Sequence, residues 1–151
     1  LSDLRIPLGL IAINFYKSEQ AIFKLKSSGA YPDFKNGGAN SRYAKFKQRT
    51  VGFTYPLLVS TGELAASLLG KGQPGNITEI GRLSLTLGTK VEHGAYHQSD
   101  EARHVIPLRK FLFIGPESRF ATNEQKGRLE RWIGILEGYT TKKLLSTGAF
   151  K

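Results

Sequence analysis

The sequence contains no cysteine and no methionine. Without cysteine there is no thiol nucleophile, no cysteine-ligated zinc site and no disulfide scaffold, and the redox compartment stays undetermined. Long apolar runs are also missing. Lys17, Arg82 and Arg109 interrupt the apolar stretches before any reaches the ~20 residues that a membrane span requires, so no membrane association is expected. A basic segment followed by a long apolar stretch is not seen either, and a secretory signal peptide is not expected. Acid is scarce: 12 Asp and Glu stand against 22 Lys and Arg, a net charge of +10. Between Asp33 and Glu63 acid is absent altogether, while Lys35, Arg42, Lys45, Lys47 and Arg49 fall inside that stretch. Tyr43, Phe46, Phe53 and Tyr55 interleave with these cations. Such a segment suits a polyanion or an acidic protein surface, and it also suits a solvated helix whose rings anchor a core.

What is present describes a globular chain. Forty per cent of the 151 residues are hydrophobic and 23% charged, enough for one domain over residues 1–151 whose core needs neither a disulfide nor a metal. Leu4, Leu8, Ile11 and Phe15 form one stripe of an amphipathic helix, with Ser2 and Asp3 placed to cap it and Pro7 tolerable near its start. The segment from Asn14 to Lys26 either continues that helix or forms a second one. Residues 29–42, with Gly29, Pro32, Gly37 and Gly38, read as a flexible loop, followed by a short helix from Ser41 to about Arg49. Thr61-Gly62-Glu63-Leu64 reads as a turn into a helix, its glycine suited to a positive φ or a close backbone approach, and Gly88 is read the same way at a strand end. Gly70 to Asn76 reads as a loop.

From Asn76 the period changes, and Leu83, Leu85 and Leu87 alternate with Ser84, Thr86 and Gly88 as a half-buried strand does. Val105 to Ile114 forms a second β segment broken by Pro107, which favours an edge. Thr122 and Gln125 form a capping-box pair. In the last helix Leu129, Trp132, Ile133 and Leu136 take the inner face and Arg128, Glu130, Arg131 and Glu137 the outer one. The expected class is α+β: a small antiparallel sheet flanked by N-terminal and C-terminal helices, with long loops.

Catalytic motifs are thin. His93 and His97 are four apart, with Asp100, Glu101 and His104 close behind, but Gly94 lies between them and the preceding segment reads as strand, so surface or interface histidines are the expectation and no metal is assigned. Gly70-Lys71-Gly72 lacks the Lys-Ser/Thr and the long helix of a phosphate loop. Ser60 and Ser67 lack a nucleophile elbow, and no carboxylate pair is set apart by its neighbours. An enzyme is not expected, and neither is a cofactor. The residues that stand out belong to surfaces. Arg109 and Lys110 sit beside the second β segment and, with Tyr96 and His97, are candidates for a subunit or partner interface. Lys35, Arg42, Lys45, Lys47 and Arg49 are candidates for facing DNA or an acidic surface.

Several short motifs occur in a distinctive order. Phe15 to Gly29 and Tyr43-x-x-Phe46-Lys47 come first. Pro56-Leu57-Leu58-Val59-Ser60-Thr61-Gly62-Glu63-Leu64 with Ser67-Leu68 follows. Leu87-Gly88-Thr89, Ala95-Tyr96-x-Gln98 and Ile106-Pro107-Leu108-Arg109-Lys110-Phe111-Leu112 complete the run. In this order they resemble the virion morphogenesis family of tailed bacteriophages, the group of Mu-type neck and tail-completion proteins, over about Phe15 to Glu117. Lys110 and Ser99-Asp100 depart from that family's pattern. The resemblance implies a structural virion protein that forms a homo-oligomeric ring, a hexamer, at the head–tail junction. Such a ring joins head-closure or connector proteins to tail-tube or terminator proteins and lets double-stranded DNA pass without sequence preference. The implied location is the virion, assembled in the host bacterial cytoplasm. Two other readings stay open: a tail-tube terminator ring, and a basic non-specific nucleic-acid-binding protein.

Overall fold

The computed structural model describes residues 3–24, 38–98, 111–112 and 127–147. Helix α1, Arg5–Lys24, is one uninterrupted helix. Leu8, Ile11, Ala12, Phe15, Tyr16, Ile22 and Phe23 recur every three or four residues along it and are all buried. Pro7 falls in the first turn, where a missing N–H breaks no helical bond. Leu4 stands just before the helix and donates its N–H to the Arg82 carbonyl at 2.7 Å, and the Asp3 carboxylate accepts from the Arg5 N–H at 3.0 Å.

A 3₁₀ turn over Gly38–Asn40 leads into α2, Arg42–Val51. Ser41 caps α2, its hydroxyl accepting from the Ala44 N–H at 3.1 Å. Helix α3, Glu63–Ser67, starts at Gly62, whose φ of +88° is strained for any residue with a Cβ. Strands β1, Asn76–Ile80, and β2, Leu85–Thr89, pair antiparallel with Asn76 opposite Thr89 and Ile80 opposite Leu85. One face of this hairpin rests on α1. Tyr16 shares hydrogen bonds with Thr78 and with Asn76, and the Asn76 amide also donates to the Ser67 carbonyl at 2.8 Å. One asparagine thereby ties α1, α3 and β1 together.

Helix α4, Glu92–Gln98, follows β2, and α5, Arg128–Ser146, packs on α1. The core gathers Phe15, Tyr16, Ile22 and Phe23 of α1 with Ala44, Leu57, Leu58, Leu64, Leu68 and Phe111. Each Leu, Ile or Phe among them contributes about 1.5–3 kcal/mol by leaving water. The fold is α+β, a small antiparallel sheet set against helices.

Several sequence expectations are corrected. β2 begins at Leu85, and Leu83 lies exposed in the hairpin loop that the Gly81 N–H closes onto the Ser84 carbonyl at 2.8 Å. Gly88 sits within the ladder opposite Ile77, and its φ lies outside the left-handed region. Residues 92–98 are helical, so His93 and His97 do share a helix. Arg42, where the loop and helix readings overlapped, belongs to α2. The last helix is turned relative to expectation. Arg128, assigned to the outer face, has no exposed surface, whereas Leu129 and Ile133, assigned to the inner face, are exposed.

The physical reason is an acceptor on α1. Arg128 donates to Glu19 Oε1 at 2.7 Å and to Ser18 Oγ at 2.5 Å, and its guanidinium lies 5.3 Å from the Phe15 ring centroid and 6.0 Å from that of Trp132. These hydrogen bonds and ring contacts hold Arg128 in the interior, and Leu129 and Ile133 are left outside. Residues 29–37, the capping pair Thr122 and Gln125, and most of the second β segment lie outside the described residues. Phe111 and Leu112 of that segment are described and are not in a strand.

Candidate functional site

Helix α2 presents the acid-free segment in ordered form. Ala44 and Lys47 face inward, and Arg42, Tyr43, Lys45, Phe46 and Arg49 face out. The division follows from helical spacing: Ser41, Ala44 and Lys47 recur every three residues on the buried side. Tyr43 and Phe46, three residues apart, stack with centroids 6.3 Å apart and planes 29° apart. The outward face combines three cations with two exposed rings and no carboxylate. It can neutralise phosphates or carboxylates while its rings cover an apolar or planar group.

Lys47 is removed from the outward set. It is buried, and its Nζ donates to the carbonyls of Thr54 at 3.2 Å, Pro56 at 2.5 Å and Leu57 at 3.3 Å. The ammonium also lies 4.9 Å from the Phe53 ring centroid. This cation holds the chain that leaves α2, so its expected role toward DNA or an acidic partner is replaced by a structural one. Lys35, Arg109 and Lys110 lie outside the described residues.

The other pair of site residues diverges. Tyr96 is exposed, while His97 turns inward and meets the Phe111 ring edge-on with centroids 6.3 Å apart. Neighbours on a helix point about 100° apart, so adjacency in sequence does not make a shared surface. His93, one turn before His97, has its Nε2 3.7 Å from Glu63 Oε2, both side chains well exposed. Glu63, Glu92 and His93 line an open cleft beside Gly62 and Gly75. An exposed pair of this kind holds little free energy. Among the described residues no three His, Asp or Glu side chains converge as metal ligands do.

A further surface escaped the sequence reading. Ile6, Leu10 and Ile13 stand at i, i+4 and i+7 on the side of α1 opposite the core, with 66%, 51% and 53% of their surface exposed. The stretch from Ile6 to Ile13 is therefore apolar around its whole circumference. The signal lay in the sequence as a second apolar stripe, out of phase with the first by half a turn. Ile13 also lines a groove of about 450 Å³ between α1, the loop after α3, and β1. Lys17 and Lys71 stand at this groove, and among the described residues no acid lines it. Comparison of the chain with protein-family models, curated proteins and solved structures gives no match.

Proposed function

We propose that this chain is a structural subunit of a tailed-bacteriophage particle, which assembles into a ring at the head–tail junction and joins the connector to the tail around the DNA path. The resemblance in motif order supplies the family. The observation that carries the reading is the outer face of α1. A helix segment apolar on all sides belongs in an interior. Here one side is in the core and the other, with Ile6, Leu10 and Ile13, is exposed. A second protein surface supplies the missing cover, as expected of a subunit built to assemble. The absence of a recognisable catalytic constellation in the sequence fits the same role. Electron microscopy of the purified chain, alone and mixed with tail-tube protein, tests it. Rings of uniform diameter that cap tubes support the reading, and a field of single chains in both samples sinks it.

The basic face of α2 favours a second reading, contact with nucleic acid. Arg42, Lys45 and Arg49 can neutralise backbone phosphates without reading sequence. Salt separates the two readings. Phosphate contacts weaken steeply with added salt, because counterions released into a saltier solution gain less entropy, whereas burial of the α1 stripe persists.

A further inference from the structure

Two exposed faces of the chain complement one another. The first is the groove along α1, where Ile13 lies beside Lys17 and Lys71. Ile6 and Leu10 extend its apolar surface along the helix. Thr78 and Ile80 of β1 line its far wall, and the exposed Glu79 alternates to the opposite face of the strand. The second is the outer side of α5. There Glu130, Ile133 and Glu137 are exposed together on the side away from Arg128. Gly134 lies among them with open space where a Cβ would stand, so no side chain at that position holds a partner back.

We propose that copies of this chain associate head to tail, the outer side of α5 from one copy seated in the α1 groove of the next. The inference rests on the ring reading and names the two surfaces that close the ring. Charge decides the pairing. Groove against groove would bring Lys17 and Lys71 toward their own copies, and α5 against α5 would do the same with Glu130 and Glu137. Only the groove meeting α5 sets lysine against glutamate and isoleucine against isoleucine. Such a contact is heterologous, using two different surfaces on each copy. Repeated by rotation it yields a closed ring.

Sedimentation velocity on the full chain tests this with two reversed variants, Lys17→Glu with Lys71→Glu, and Glu130→Lys with Glu137→Lys. Every substituted side chain is exposed, and circular dichroism checks that each variant folds. The wild type is expected to assemble, and each variant alone to associate at least tenfold more weakly. An equimolar mixture of the two variants is expected to regain assembly. In the mixture a reversed groove meets a reversed α5 and a native groove meets a native α5. If a reversal unfolds the chain, the neutral Lys17→Gln, Lys71→Gln variant gives the same readout with a smaller loss. Variants that assemble like the wild type overturn the pairing and leave the ring reading standing, and so do dissociated variants that fail to recombine. A wild type that never assembles, alone or with tail-tube protein, overturns the ring reading itself.

Discussion

Glu19 and Arg128 are 109 residues apart in sequence and 2.7 Å apart in space, and neither has exposed surface. This pair joins the first helix to the last. Burial is the dominant influence on Glu19 and pushes its carboxyl up to about 7, against the opposing pull of the Arg128 charge and hydrogen bond. In the unfolded chain the same carboxyl ionises at its ordinary value, 4.5. Between those values the folded state binds more protons than the unfolded state, so acid favours folding. The contribution is fully present below about pH 4.5 and is lost as pH rises through about 7. Glu19→Gln mimics the protonated form. Relative to wild type, its stability is expected to improve by on the order of 3 kcal/mol between pH 4.5 and pH 8. Urea melts across that range check it, and a constant difference contradicts it.

Lys47 and Lys45 look alike in sequence and differ in the fold. Lys47→Met removes the donor from three carbonyls and is expected to cost about 2–3 kcal/mol. Lys45→Ala, on the exposed side of α2, is expected to stay within about 0.5 kcal/mol of wild type. Thermal melts of the two variants side by side separate the roles, and equal shifts would contradict them.

Gly94 sits buried in α4, and helix propensity alone argues that alanine there would stabilise by about 1 kcal/mol. Packing argues the reverse. A Cβ would stand 3.0 Å from Thr89 Cγ2 and 3.3 Å from Leu64 Cδ1. Thr89 cannot turn aside freely, because its hydroxyl is shared with Ser67 Oγ at 2.7 Å and accepts from the Val91 N–H at 3.0 Å. Overpacking at such a site costs about 1–3 kcal/mol, so Gly94→Ala is expected to destabilise by about 1 kcal/mol net. A raised melting temperature would show that the Thr89 contact yields.

Elements governed by local rules were legible in the sequence. The short helix after the glycine-rich loop was read close to α2, Gly62 marked the turn into α3, and the alternation of Leu85 and Leu87 marked the strand β2. Features decided by a distant partner were not. Nothing near Arg128 marks it as buried, because its acceptors Glu19 and Ser18 lie on α1. Once that pair forms, it fixes the rotation of α5 and leaves Leu129 and Ile133 outside. Lys47 escaped for a related reason. Its partners are backbone carbonyls, which no side-chain pattern reveals. On the surface, the basic character of α2 was readable, and the exposed stripe on α1 was hidden behind the stronger core stripe of the same helix.

The outward face of α2 makes its own prediction. Replacing Arg42, Lys45 and Arg49 with glutamine together is expected to weaken non-specific binding to duplex DNA. The slope of log affinity against log salt should fall by about three if each cation meets one phosphate. Fluorescence anisotropy over a salt series measures it. The three side chains are exposed, so the melting temperature should stay close to that of wild type. An unchanged slope would remove this face from any nucleic-acid contact.

If this chain is a ring subunit, another protein surface covers the apolar stripe on α1. Native mass measurement of the purified chain, alone and with tail-tube protein, tests it most directly. One closed species is expected, whose mass is a fixed multiple of 16.7 kDa, six-fold by the family resemblance, and which then binds the tube. A chain that stays at 16.7 kDa at every concentration and ignores the tube contradicts it.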